Sequence, residues 1–260
     1  MILSRRVALG GVQLDEIHEA IVIRGIDTGV PKESIQSVNR MGGVGQRVTM
    51  QHWETMEVTV SWAMDIQKDD LATRREIWEA VNSWALRKGW LTVSYLPNRR
   101  LYVDKVVLPS SGDLWEWTND FTITFRTYGV PFWQDELPVT AGSASIANGT
   151  VWLDVPGQFR TVADVTFRNI SGMTISRFRV NAGGNEIDLQ GISLGGSETL
   201  TLDHGTDGLL RIRIGSRSVY SCRSAGSADD LYLDPGTGRT VAVNTERAGR
   251  LDVNVYGRYA

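Results

Sequence analysis

Three histidines, one cysteine and 30 carboxylates are the side chains of this 260-residue chain best suited to acid–base, metal or nucleophilic chemistry. His18, His52 and His204 form no His-x-x-x-His pair and lie beside no cysteine, so a metal site would need distant segments to converge. Surface or hydrogen-bonded histidine is the reading their context favours. Cys222 is alone, which removes an internal disulfide and any zinc site needing two thiolates. No Gly-x-Ser-x-Gly elbow marks a hydrolase nucleophile. Gly43-Val44-Gly45 opens like a dinucleotide loop, but Val48 occupies the third glycine position and no helical pattern follows. Asp203-His204-Gly205-Thr206-Asp207-Gly208 partly matches a calcium loop. It lacks the acidic third position and has Ile214 where the bidentate Glu belongs, so it reads as a turn between strands. Asp229 with Asp230, or Asp188 with Asp203, would make a glycosidase pair only if folding set them about 5 to 10 Å apart across a cleft. No catalytic, cofactor-binding or metal-ligating residue is therefore assigned, and no cofactor is expected.

Aromatic side chains offer a different chemistry, because an exposed ring can stack on a sugar while neighbouring polar groups bind its hydroxyls. Trp152, Tyr220 and Tyr232 are the candidates for glycan contact. Each lies in or beside a predicted strand, where core or edge packing is the competing role.

The elements that would position these residues are mostly strands. Met56, Val58, Val60, Trp62 and Met64 alternate with Glu57, Thr59, Ser61 and Ala63, the period-two pattern of a strand buried on one face. Phe121, Ile123 and Phe125 alternate in the same way. Trp90 to Tyr95 and Arg100 to Leu108 flank Leu96-Pro97-Asn98-Arg99, a hairpin signal. Asp69 to Lys88 breaks the pattern: Leu71, Trp78, Val81 and Ala85, flanked by Ile77 and Trp84, recur at helical spacing. Asp69 or Asp70 supplies the N-cap and Gly89 the stop, predicting one helix over 69–88.

The composition shifts near residue 135, with eight of nine Trp and all four Lys before it, which places a boundary between domains 1–135 and 136–260. In the second domain, turns are predicted at Asn148-Gly149, at Asn181-Ala182-Gly183-Gly184 and near Gly215-Ser216. Strands are predicted over 162–169, 198–203, 230–233, 240–243 and 251–256. Seven or more short strands without a helical period predict a sandwich. The expected fold class is all-β: two β-sandwich domains, the first with one inserted helix.

Charge and hydropathy exclude several functions. Lys and Arg total 27 against 30 Asp and Glu, a net charge of -3 that provides no bulk positive field for a phosphate backbone, so nucleic-acid binding by global charge is not expected. The longest uncharged stretch, Leu137 to Leu153, is broken by Pro138, Gly142, Asn148 and Gly149, and no membrane span is expected. Arg5 and Arg6 are followed by no apolar run of signal-peptide type. With a single cysteine, this fits folding in a reducing cytoplasm.

The order of elements resembles the distal tail protein family of long-tailed bacteriophages. The resemblance is carried by Met41-Gly42-Gly43-Val44-Gly45 before the strand pair, by the inserted helix and by Tyr95-Leu96-Pro97-Asn98-Arg99-Arg100-Leu101-Tyr102-Val103. It is carried also by the run from Phe121 to Trp133 that ends in Val130-Pro131-Phe132-Trp133. The second half, with Asp188-Leu189-Gln190-Gly191-Ile192 and Thr199-Leu200-Thr201-Leu202-Asp203, is similar to the galectin-like domain of that family. The resemblance implies a non-enzymatic virion protein of the tail. Six copies of the first domain would close into a ring, single or stacked, beneath the tail tube protein, and the second domains would hold tail-tip, tail-fibre and receptor-binding components.

A closing ring needs two different patches on each subunit. Gly42, Gly43, Val44 and Gly45, in the loop from Val38 to Gln46, and Trp115 and Trp117, in the loop from Pro109, are expected at the ring interface or facing the tube. Trp115 and Trp117 either project from a hairpin tip or tuck back onto the sandwich, and both readings stay open. A non-catalytic carbohydrate-binding module is the alternative function, and a glycosidase the third.

Overall fold

A computed structural model describes residues 5–39, 46–108, 116 and 118–260. The chain divides into two compact units, Met1–Trp133 with Ala260, and Gln134–Tyr259. Among the described residues the fold is all-β with a single α-helix.

In the first unit the strands are Val7–Leu9 (β1), Val12–Gln13 (β2), Ile21–Asp27 (β3), Glu33–Asn39 (β4), Gln46–Trp53 (β5) and Met56–Met64 (β6). The helix Leu71–Ala85 (α1) follows, then Gly89–Val93 (β7), Arg99–Val103 (β8), Lys105–Val107 (β9) and Asp120–Thr127 (β10). Strands β3, β6, β10 and β9 form one sheet in that order, and β2, β1, β7 and β8 are neighbours in another. The alternation read in the sequence is present: Met56, Val58, Val60, Trp62 and Met64 are buried along β6, and Phe121, Ile123 and Phe125 along β10. Phe121 pairs with Trp62 and Phe125 with Val58, which sets both apolar rows on one face. The Leu96–Arg99 turn joins β7 to β8, with Asn98 at φ 62°, a left-handed conformation that Asn tolerates better than most residues.

Helix α1 is shorter than predicted. Asp70 is the N-cap, its carboxylate accepting from the Thr73 amide at 3.2 Å, and the helix ends at Ala85, so residues 86–88 lie beyond it and Gly89 opens β7. Leu71, expected in the buried stripe, is 47% exposed because it stands in the first turn before the helix meets the core. Ile77, Trp78, Val81, Trp84 and Ala85 are buried. Trp78 packs at 6.5 Å from Trp62 and 5.1 Å from Phe121, Trp84 meets Phe125 edge-on at 5.9 Å, and the Trp84 indole donates to the Val12 carbonyl at 2.9 Å. Rings at these separations add to the stabilisation from area burial alone. Arg74 is the unpredicted core residue of this helix: it is fully buried and donates to Asn119 Oδ1 at 2.7 Å and to the Thr118 carbonyl at 2.5 Å.

Strand Trp133–Asp135 (β11) contains the division between the units. The second unit continues with Val139–Val155 (β12), Thr161–Asn169 (β13), Ile175–Ala182 (β14), Asn185–Leu194 (β15), Thr199–His204 (β16), Leu210–Ile214 (β17) and Arg217–Ser218 (β18). Tyr232–Leu233 (β19), Gly236–Val255 (β20) and Arg258–Tyr259 (β21) close it. Strands β15, β14, β20, β13, β16, β17 and β18 are neighbours in that order; β12 also pairs with β20. The core is formed by the inward rows, including Val165, Phe167, Phe178, Val180, Leu189, Leu200, Leu202, Val243 and Val253.

Two local expectations fail here. Asn148-Gly149 is not a turn: Asn148 pairs with Asn244 and Gly149 with Val243 inside the continuous strand β12, where register shifts between Ser143 and Asn148 absorb the irregularity. Pairing along β20 outweighs the local turn preference. The separate strands predicted at 240–243 and 251–256 are one strand, β20, because it pairs with β14 through its first half and β13 through its second. Gly183 and Gly184 do make the predicted turn between β14 and β15, at φ 57° and 88°, and Gly215, at φ 56°, turns β17 into β18.

Candidate functional site

A buried polar arrangement of the second unit is built at the end of β16. Strand β16 pairs with β13 and β17, and the last residue of β16, His204, reaches Asp164 of β13. Its Nδ1 lies 2.7 Å from Asp164 Oδ1, which also accepts from the His204 amide at 3.0 Å. Its Nε2 lies 2.9 Å from Asp230 Oδ1, and Asp230 Oδ2 accepts from the Tyr232 hydroxyl at 2.8 Å. The His204 side chain is only 6% exposed.

Burial opposes charge on this imidazole, but its hydrogen bonds to Asp164 and Asp230, with the attraction of both carboxylates, raise its pKa to about 9. Burial acts on Asp230 in the opposite sense, and the hydrogen bonds from His204 and Tyr232 hold it below its ordinary value. Burial and the Asp230 carboxylate push the Tyr232 phenol up to about 12. Arg258 is lowered by burial, against the pull of Tyr232, Asp230 and Asp164. At neutral pH the imidazole is a cation with both nitrogens donating to carboxylates. It has no lone pair with which to accept a proton, so its geometry is that of a structural ion network rather than of a general base.

Of the network, Asp230 alone lines a cleft of about 680 Å³. Leu209, Leu210 and Ile212 give the cleft an apolar side, and Tyr220, Arg211, Arg213, Asp229 and Asp230 line the rest. Leu209 is 66% exposed and Tyr220 45%, with the Arg223 guanidinium 4.8 Å over the Tyr220 ring. The carboxylates that would make a glycosidase pair are all engaged. Asp188 accepts from Arg177 at 2.7 and 3.0 Å and from Gln190 at 2.8 Å, Asp203 from Arg213 at 2.8 Å, and Asp229 pairs with Arg223 at 3.3 Å. The Arg177 hydrogen bonds hold Asp188 down to about 2, overcoming the effect of burial. Asp207 caps its own turn, accepting from the Leu209 amide at 3.1 Å and from Arg211 at 3.0 Å, as a turn and not a calcium loop requires.

The three aromatic candidates are not brought together. Tyr220 lines the cleft, Tyr232 touches it only through Asp230, and Trp152 is 68% exposed on β12, outside the cleft lining. Gly42, Gly43, Val44, Gly45, Trp115 and Trp117 lie outside the described residues. Sequence reasoning missed the His204 network because its members lie 40 and 26 positions apart. The one available signal was the histidine at the end of an alternating strand.

In the first unit, among the described residues, β4 and β5 pair with each other as a two-stranded sheet. Val30 and Ile35, at and near its base, are 65% and 55% exposed.

No protein-family model and no curated protein sequence matches the chain. Solved structures do. The SPP1 Dit (gp 19.1) protein, described as a paradigm of the hub adsorption apparatus in phages infecting Gram-positive hosts, matches with a TM-score of 0.67. The match covers 98% of this chain and 99% of that one, at 12% identity. A chain of the phage p2 baseplate in its activated conformation with Sr matches at TM-score 0.42 and 9% identity, over 96% of this chain and 97% of that one. A chain of the phage P2 baseplate in its activated conformation with Ca matches at TM-score 0.43 and 8% identity, over 97% and 98%. The all-β, single-helix architecture built up above is thus shared nearly end to end, and this chain has the fold of the Dit protein of phage SPP1.

Proposed function

We propose that this chain is a structural protein of a bacteriophage tail, a distal tail hub that works by assembly and not by turnover. The observation that carries the reading is the match to SPP1 Dit over nearly the whole of both chains. In this reading six copies of the first domain, 1–135, close into a ring beneath the tail tube, and the second domains, 136–260, hold tail-tip and receptor-binding components. Assembly takes place in the bacterial host cytoplasm.

The β4–β5 hairpin supports self-association. Among the described residues the hairpin is a two-stranded sheet, which is marginally stable in water by itself, and strand edges of this kind are suited to pair with a neighbouring chain. Its connecting residues Gly42, Gly43, Val44 and Gly45, together with Trp115 and Trp117, are the proposed ring or tube contacts.

Gold-labelled antibody raised against the chain tests the location on particles released by the cell that encodes it. Label confined to the tail end distant from the head agrees with the reading; label on the head, or particles without the chain, overturns it.

A further inference from the structure

Strand β17 is left half-paired. Along one side it is bonded to β16 over its whole length, from Leu210 opposite His204 to Ile214 opposite Leu200. Along the other side β18 pairs only with Arg213 and Ile214. Just beyond β18 the Val219 amide donates to the Ile212 carbonyl at 2.9 Å, and there the two segments part. Tyr220–Cys222 forms a short 3-10 turn in which the Cys222 amide donates to the Val219 carbonyl at 3.0 Å, so that carbonyl serves the turn instead of continuing the ladder to the Ile212 amide.

In an antiparallel strand the amide and carbonyl of one residue point to the same side, and successive residues alternate. Leu209 faces the β16 side, since its carbonyl accepts from the Gly205 amide at 3.2 Å, and Ile212 faces the other, since its carbonyl accepts from Val219. Leu210 therefore faces outward with Ile212. Among the described residues, the Leu210 amide, the Leu210 carbonyl and the Ile212 amide have no hydrogen-bond partner. A row of unpaired donors and acceptors on a strand edge is a template for another strand.

This edge lines the cleft of about 680 Å³. Leu209, 66% exposed, and Tyr220, 45% exposed, give it apolar surface. Each charged side chain of the lining is already held by an opposite charge: Arg211 by Asp207 at 3.0 Å, Arg213 by Asp203 at 2.8 Å, Asp229 by Arg223 at 3.3 Å and Asp230 by His204 at 2.9 Å. A charged group entering the cleft would lose hydration and find no free counter-charge. The unpaired edge selects a polypeptide backbone, and the balanced, apolar walls select one with uncharged, apolar side chains at alternate positions.

We propose that β17 takes up an extended, uncharged segment of a partner protein as an added strand, its backbone bonded to Leu210 and Ile212 and its apolar side chains against Leu209 and Tyr220. The site does not depend on the hub reading, since peptide binding is read equally on a single chain and on a ring.

The test is the complete protein on an array of immobilised peptides of about nine residues that alternate apolar and polar uncharged side chains. Copies carry Lys or Glu at alternate positions, and others are N-methylated on one or the other alternate set of amides. The expected result is retention on uncharged peptides, weakened about tenfold or more by N-methylation of one set of amides and little by the other, because only one edge of the added strand meets β17. Leu209→Asp and Tyr220→Ala, both at exposed positions that leave the core intact, should each weaken retention by a similar factor. No retention on any uncharged peptide, retention on charged peptides alone, equal sensitivity to both N-methylated sets, or retention unchanged in Leu209→Asp and Tyr220→Ala overturns the proposal.

Discussion

One oxygen of Asp164 accepts two hydrogen bonds from a single residue, His204: one from its ring Nδ1 at 2.7 Å and one from its backbone amide at 3.0 Å. That double contact fixes both the orientation and the protonation of the imidazole, and with Asp230 on the other nitrogen it ties β13, β16 and the segment before β19 together.

Stability of the second unit should therefore depend on pH through His204. Its folded pKa of about 9 lies above the ordinary 6.5, so its stabilisation is complete below about pH 6.5 and is lost as pH rises through about 9. A shift of this size corresponds to about 3 kcal/mol at most. Asp230 is lowered, so its contribution is present at neutral pH and lost as pH falls through the acid range. Urea unfolding between pH 5 and 9.5 should show stability highest near pH 6 and falling toward 9.5, and His204→Gln should flatten the alkaline limb. An unchanged alkaline limb in that variant would show that the network does not set this pH dependence.

Arg74 should be indispensable to the first unit despite lying in a helix read from sequence as apolar on its inner face. Its guanidinium is fully buried on Asn119 and Thr118, so Arg74→Ala leaves two half-buried acceptors without this donor and opens a cavity, at a cost of about 3 kcal/mol. The neighbouring Arg75, exposed and paired with Glu79, should cost under about 1 kcal/mol on the same change. Thermal melts of the two variants compare them directly, and equal losses would contradict the assignment.

The two turn glycines between β14 and β15 should respond differently. A Cβ on Gly183 would come within 2.5 Å of the Tyr232 carbonyl oxygen, whereas one on Gly184 meets nothing within 4 Å, although both have positive φ. Gly184→Ala should cost about 1 kcal/mol from backbone strain alone, and Gly183→Ala clearly more because β19 must also shift. A smaller loss at Gly183 would show that the close approach is not maintained in solution.

The strands were legible wherever alternation ran over a sheet with one buried face, as in Met56 to Met64 and Phe121 to Phe125, because period two reports directly on which side meets the core. Local turn chemistry was legible at Gly183-Gly184 and misleading at Asn148-Gly149. The same dipeptide preference is present at the latter site, but long-range pairing with β20 decides the outcome there. Leu71 read as core because helical periodicity does not show where along its length a helix meets the sheets. The His204 network was hidden for a related reason: Asp164 meets the imidazole only once β13 and β16 are paired, and Asp230 comes from a segment 26 positions further on.

The proposed assembly into a hub is tested by the solution mass of the purified protein, taken with negative-stain images across concentration and again with the tail tube protein of the same particle added. The expected result is a closed ring with a central hole and a mass near six chains of 28.8 kDa, about 173 kDa. A 28.8 kDa monomer at every concentration, persisting in the presence of the tail tube protein, would contradict it.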